Sequence, residues 1–211
     1  ITALALEAER GEVTARATLP NDAEITAPEA AALGRSEWDA DRMVGRAREA
    51  VAVVADRLGP RRREVAGIGL TGQQHGVVLV RRGGAPLGPF IGWKDRRGLE
   101  RVPGGEESFA ALAQRRRGAE AFERAGCALA TGFMGVTLFW LRETGALPSA
   151  GAACFITDFL GSMLTGEAPV TDPTMGASGG LFSLAERRWD LEMARALGLP
   201  PTLFPEVREA G

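Results

Sequence analysis

Gly67-Ile68-Gly69-Leu70-Thr71-Gly72-Gln73-Gln74-His75-Gly76-Val77-Val78-Leu79-Val80 is the stretch from which the fold of this chain is read. Its two apolar runs have the length and β-branched content of buried strands. Between them lies a polar turn in which Gly69, Gly72 and Gly76 let the backbone bend sharply and come close to a ligand. Gln73, Gln74 and His75 fill that turn with amide and imidazole groups, which both donate and accept hydrogen bonds. Such groups read the hydroxyls of a neutral polar small molecule better than they hold a charged one. His75 is also the only histidine. The same residues fit a second reading, a strand–turn–strand with a satisfied, half-buried histidine, because glycine-flanked polar turns are common.

Outward from this stretch, 211 residues suffice to bury a full core. A formal net charge of −2 and a pI near 5.6 argue against nucleic acid or a membrane surface as partner. Lys94 is the single lysine, a skew towards arginine that reflects GC-rich coding rather than function. Cys127 and Cys154 are isolated and lack metal-ligand spacing, which fits a reducing cytoplasm. No apolar run is long enough to span a bilayer, and no signal-peptide pattern opens the chain. It begins at Ile1, directly in alternating apolar residues, and stops after a proline-rich connector. The expectation is that a first strand and its turn lie outside this sequence, a piece of something longer.

Residues 1–6 and 12–17 read as a hairpin, and 19–36 as an extended loop. A helix is expected from Asp39 or Asp41 to Leu58, with Met43, Val44, Ala47, Val51 and Val54 on its apolar face and Gly59-Pro60 as the stop. Strands are expected at 65–70, 77–80 and 89–92, with a turn at 81–84 between the last two. Helices follow at 108–117, 119–125 and 136–143. A strand at 152–156, a helix capped by Thr157 or Asp158, a short strand at 181–183 and a helix at 190–197 complete an α/β alternation. The triplets Arg61-Arg62-Arg63 and Arg115-Arg116-Arg117 read as solvated faces at helix ends.

Trp93-Lys94-Asp95-Arg96-Arg97, just after a predicted strand, is the second chemically dense patch. An indole face stacks on the C–H surface of a sugar, and a carboxylate accepts bonds from hydroxyls. The competing reading is a core tryptophan beside a surface ion pair. There is no GxxxxGK[ST] phosphate loop and no GxGxxG run is read after a strand, so no self-contained nucleotide cradle is expected. No HExxH or paired CxxC suggests zinc. A triad through His75 lacks the G-x-S-x-G elbow. Ala177-Ser178-Gly179-Gly180 is either a backbone anion site or a flexible loop. A ribonuclease H-like nuclease would need clustered carboxylates and a basic surface, which the chain does not offer.

Taken in order, Gly72-Gln73-Gln74-His75-Gly76, Trp93-Lys94-Asp95-Arg96-Arg97, Thr165-Gly166-Glu167 and Thr171-Asp172 with Ala177-Ser178 resemble the FGGY family of carbohydrate kinases. Arg188-Trp189-Asp190 to Leu203 extends the likeness. Within the family the pattern is most like the xylulokinases and sedoheptulokinases. The resemblance implies an α/β, ribonuclease H-like (actin-type ATPase) N-terminal domain over residues 1–211, lacking its first strand. It also implies a C-terminal kinase domain outside this chain, with ATP and Mg²⁺ as cofactors of the intact protein. Gln74 and His75 match the turn that bonds substrate hydroxyls, and Trp93 matches the indole packed on substrate carbons. Asp95 and Arg96 belong to the same substrate motif. Gly132 falls where glycerol-specific members place a tyrosine, and its smallness is expected to leave room for a longer sugar.

The departures matter as much. The family's Asp-x-Gly-Thr turn would precede Ile1, and its catalytic aspartate would lie beyond Gly211, so no catalytic or metal-binding residue is expected in this chain. Thr137 stands where many relatives carry lysine, and Asp172 is not read as a base. The implied protein is cytoplasmic, with a small-molecule sugar as substrate and no nucleic acid or membrane partner; a homodimer is left open. It phosphorylates a ketose (xylulose- or sedoheptulose-like) or a related polyol, and this piece alone is inactive. The alternative is a non-catalytic sugar-sensing or assembly domain of the same fold.

Overall fold

The computed structural model describes residues 1–81, 84–148 and 151–210. Strands β1 (Thr2–Glu7) and β2 (Glu12–Thr18) form the expected antiparallel hairpin, with Thr2 opposite Thr18. The period of two puts Ala3, Ala5, Ala15 and Ala17 on one face and leaves Leu4 and Leu6 exposed on the other. Helix α1 (Pro28–Ala32) and strand β3 (Glu37–Trp38) lead into the long helix α2 (Ala40–Leu58). Its Ala50 and Val54 pack on the alanine face of the hairpin, where small side chains allow close approach. Asp39 caps α2 by accepting the Arg42 amide at 2.9 Å.

Strands β4 (Val78–Val80) and β5 (Phe90–Ile91) flank the turn region at 81–84, of which Arg82 and Gly83 lie outside the described residues. β5 pairs antiparallel with β3, Val77 and Ile91 exchange backbone bonds of 2.9 Å, and β4 pairs antiparallel with β6 (Ala152–Cys154). Between β5 and β6 come a 3₁₀ turn (Arg97–Leu99) and helices α3 (Phe109–Arg117), α4 (Ala121–Ala125) and α5 (Met134–Glu143). After β6 the chain forms α6 (Ile156–Thr165), β7 (Val170–Thr171) and α7 (Pro173–Ala177). The hairpin of β8 (Phe182–Ser183) and β9 (Arg188–Trp189) follows, then α8 (Leu191–Ala196) and β10 (Glu206–Val207), which pairs parallel with β7. The main core forms around α5, whose Val136, Leu138 and Phe139 are fully buried against Phe109, Phe155 and Met193. A second core unites Val44 of α2 with Phe90 and Phe159.

Three expectations are corrected. Residues 65–70 are not a strand: Val65, Ile68 and Leu70 are exposed, Ile68 at 60 %. Among the described residues no backbone–backbone hydrogen bond reaches residues 66–75, so the extended run lacks the partner that would make it a strand. Helix α6 starts earlier than expected, after Phe155, and Asp158 acts from inside its first turn by accepting the Phe155 amide at 3.1 Å. The triplet at the end of α3 is not all solvated, because Arg117 is buried.

Candidate functional site

His75 sits where the exposed 66–74 run enters β4, at φ 63°, in the left-handed region that a β-carbon disfavours. A residue is kept there only when its surroundings over-determine it, against a cost of about 1–3 kcal/mol. The surroundings are visible. Its amide donates to Ser178 Oγ at 3.3 Å, and its Nδ1 lies 2.7 Å from the Ser178 carbonyl. Phe133 stacks on the ring at 4.2 Å between centroids and 12° between planes. A carbonyl oxygen only accepts, so Nδ1 carries the hydrogen, and in the neutral ring Nε2 is an acceptor. The imidazole is thereby fixed in tautomer and in tilt. Gln73 and Gln74 beside it are exposed.

Trp93 follows β5 and is 49 % exposed, with Lys94 Nζ 5.5 Å above its ring. It lies in the same neighbourhood as His75, because Gly132 joins the two. The Gly132 carbonyl accepts the Gly76 amide at 2.9 Å, and the glycine α-carbon presses on the Trp93 backbone. A methyl added to Gly132 would overlap the Trp93 carbonyl oxygen, and the residue is at φ 83°. The smallness of Gly132 is therefore taken up by the Trp93 main chain, which corrects the expectation of free room for a ligand at that position.

Asp95 is corrected too. It is fully buried, and its oxygens are filled by Arg97 and by the Ser36 amide. Arg97 donates from its amide at 2.9 Å, from Nε at 2.7 Å and from Nη2 at 2.9 Å, and Nη2 also reaches Glu37 at 2.7 Å. A carboxylate offers about four lone-pair positions, and four bonds occupy them. Asp95 builds the loop that presents Trp93 and has nothing left for a substrate hydroxyl. Arg96 is exposed, its amide bonded to the Gly34 carbonyl at 2.8 Å and its aliphatic stem laid against Gly34.

A cleft of about 960 Å³ opens on the other side of Gln74, lined by Thr71, Gly72, Thr157, Asp158, Thr171 and Asp172 among others. Neither His75, Trp93 nor Gly132 lines it; Gln74 stands at the boundary. Asp172 is used as the N-cap of α7, accepting the Thr174 and Met175 amides. Burial pushes the Asp158 carboxyl up to about 7, with the Asp172 charge adding to the rise and the Phe155 amide opposing it. Burial likewise raises the Cys154 thiol well above its ordinary range, which leaves it unreactive. Among the described residues no three His, Cys, Asp or Glu side chains converge to hold a metal ion. Gly67, Gly69 and Gly72 have the spacing of a dinucleotide fingerprint, but a turn and a strand follow them, not the helix N-terminus that would face a phosphate.

The model of the "FGGY family of carbohydrate kinases, N-terminal domain" matches residues 1–211. The chain belongs to the FGGY family. Human sedoheptulokinase is 30% identical over 193 residues, covering 83% of this chain and 37% of that protein. A glycerol kinase of Thermus brockianus is 35% identical over 154 residues, covering 68% of this chain and 29% of its own length. The crystal structure of xylulose kinase from Rhodospirillum rubrum superposes with a TM-score of 0.83 at 23% identity, over 98% of this chain and 40% of the other. The fold is thus the actin-like ATPase fold of the FGGY kinases, as expected. The chain spans less than half the length of the relatives it matches.

In this FGGY domain the sequence reading missed Phe133, and it quoted Ser178 and Arg97 within motifs without the roles they play. Phe133 had a weak signal, since it adjoins the glycine already singled out. Ser178 stood in a quoted motif, but 103 residues separate it from the imidazole it fixes, and no local pattern encodes such a contact. Arg97 was visible as a charge but not as the buried partner of Asp95. No helix in the described residues is long and apolar enough to cross a membrane.

Proposed function

We propose that this chain is the sugar-binding part of an ATP-dependent kinase that phosphorylates a ketose of the xylulose or sedoheptulose kind, or a related polyol. The observation that carries the reading is the bond between His75 Nδ1 and the Ser178 carbonyl. It leaves Nε2 as a fixed acceptor without a hydrogen-bond partner among the described residues, and Gly132 links the His75 turn to the backbone of the exposed Trp93. A sugar hydroxyl donates to Nε2, Gln74 donates and accepts at a neighbouring hydroxyl, and the C–H face of the sugar lies on Trp93. None of these groups carries a full charge, which suits a neutral ligand. The ketose assignment is supported by relatives named sedoheptulokinase and xylulose kinase.

ATP supplies the phosphoryl group when bound. The described residues offer no convergent set of carboxylates for Mg²⁺, so no step through ATP or the metal is assigned to this chain. Its own residues bind and orient the sugar; the base that takes the hydroxyl proton and the C-terminal kinase domain belong to the remainder of the protein, in the cytoplasm. Holding the hydroxyl in place is a large part of phosphoryl transfer, because positioning and electrostatics supply most of the acceleration. The test uses the full-length protein with xylulose, sedoheptulose and glycerol. Replacing His75 with Ala is expected to raise KM for the best sugar by about tenfold, as loss of an aimed polar contact does. Unchanged kcat and KM would sink the assignment.

A further inference from the structure

We propose that Arg117 is a positioning residue for the sugar site, holding in register the two loops that fix His75. This rests on the sugar-binding reading of that histidine. Arg117 is the last residue of α3 and is 4 % exposed. Its neighbours in the triplet behave as surface arginines, Arg115 paired with Glu107 and Arg116 with Glu143. Arg117 forms no ion pair among the described residues. Its terminal nitrogens donate instead to neutral acceptors: Nη1 to the Gly180 carbonyl at 2.8 Å, and Nη2 to the Cys127 carbonyl at 2.7 Å and Gln114 Oε1 at 3.1 Å. Nε is buried without a partner among the described residues. Gln114 Oε1 also accepts the Leu129 amide at 2.7 Å. The planar fork of a guanidinium can hold two carbonyls at a fixed separation, which an ammonium cannot.

Both anchored loops lead to the imidazole. From Cys127 the chain runs through Leu129 to Gly132, whose carbonyl takes the Gly76 amide, and to Phe133, which stacks on His75. From Gly180 it runs back two residues to Ser178, whose carbonyl and hydroxyl hold the His75 ring and amide. The loops also touch each other, since a methyl on Gly180 would come within 2.6 Å of Leu129 and 3.1 Å of Phe133. Burial depresses the Arg117 guanidinium below its ordinary range; the Cys127 thiol and Asp190 oppose that shift and Arg124 adds to it. Space alone could be filled by an apolar side chain of similar length. A buried charge kept without a carboxylate points to a need for two aimed donors.

The experiment uses the full-length chain made without a histidine tag, with the His75 ring signals assigned by their loss in a His75→Gln variant. Nitrogen NMR of the ring without sugar reports the tautomer; calorimetry with D-xylulose reports affinity. Unmodified chain is expected to show the Nδ1–H tautomer. Arg117→Met and Arg117→Lys are expected to populate the other tautomer and weaken xylulose binding about fivefold, the factor of one neutral hydrogen bond. If Arg117→Met does not fold, Arg117→Lys decides, because it keeps the charge and loses only the second aimed donor. A structural role alone would lower the melting temperature and leave tautomer and affinity unmoved, and that result overturns the proposal. Should the unmodified chain bind no xylulose, the sugar reading loses its support, while the tautomer measurement still decides for or against Arg117.

Discussion

Asp95 and Asp158 are both buried aspartates, and their neighbours give them opposite characters. Asp95 has a guanidinium and two amides, and removing it would strand Arg97 in the interior. Asp158 has one amide, no cation and the Asp172 charge near it, so burial dominates and lifts its carboxyl to about 7. Its folded pKa therefore lies above the unfolded value near 4. The stability it contributes is fully present below that unfolded value and is lost as pH rises through the folded one. Between pH 4 and pH 8 this single group is expected to cost up to about 4 kcal/mol. Urea unfolding across that range should show a decline that Asp158→Asn removes. Parallel curves for the two proteins would show that the carboxyl ionises normally.

At the scale of elements, the 66–75 run contrasts with the strand it feeds. Both are apolar and β-branched or glycine-rich in sequence, yet β4 is paired on Cys154 and Ala152 while the run has no ladder. Gly72 rests on the Thr157 side chain, one of its few anchors. Amides of 66–74 are expected to exchange with solvent at near-unfolded rates, several orders of magnitude faster than those of β4 and α5. Hydrogen exchange read by mass spectrometry on peptides spanning 64–80 makes the comparison. Equal protection on the two sides of His75 would mean that the run is paired in solution.

For the whole molecule, the distribution of apolar volume sets the order of events on unfolding. The aromatic core around α5 is large, whereas the buried contacts between the hairpin and α2 are alanines and one valine, Val54. Phe139→Ala is expected to cost about 3–5 kcal/mol and Val54→Ala about 1–2 kcal/mol. Denaturant titration of the two variants checks the ratio. A Val54 variant as damaging as the Phe139 one would place the main core at the wrong end of the molecule.

Hairpin, α2, α3, α5 and α8 were legible in the sequence because each is specified locally. Alternation over 2–7, the Asp39 and Ser108 caps and the stop at Gly59 act within a few residues. The likeness to sugar kinases was equally local, carried by short motifs in order. Tertiary structure alone decided what those motifs do. It spent Asp95 on Arg97, gave the freedom of Gly132 to the Trp93 backbone, and buried Arg117 behind two loops. It also brought Ser178 to His75 across 103 residues. Propensity and capping energies depend on neighbours in the chain; hydrogen-bond saturation and burial depend on neighbours in space.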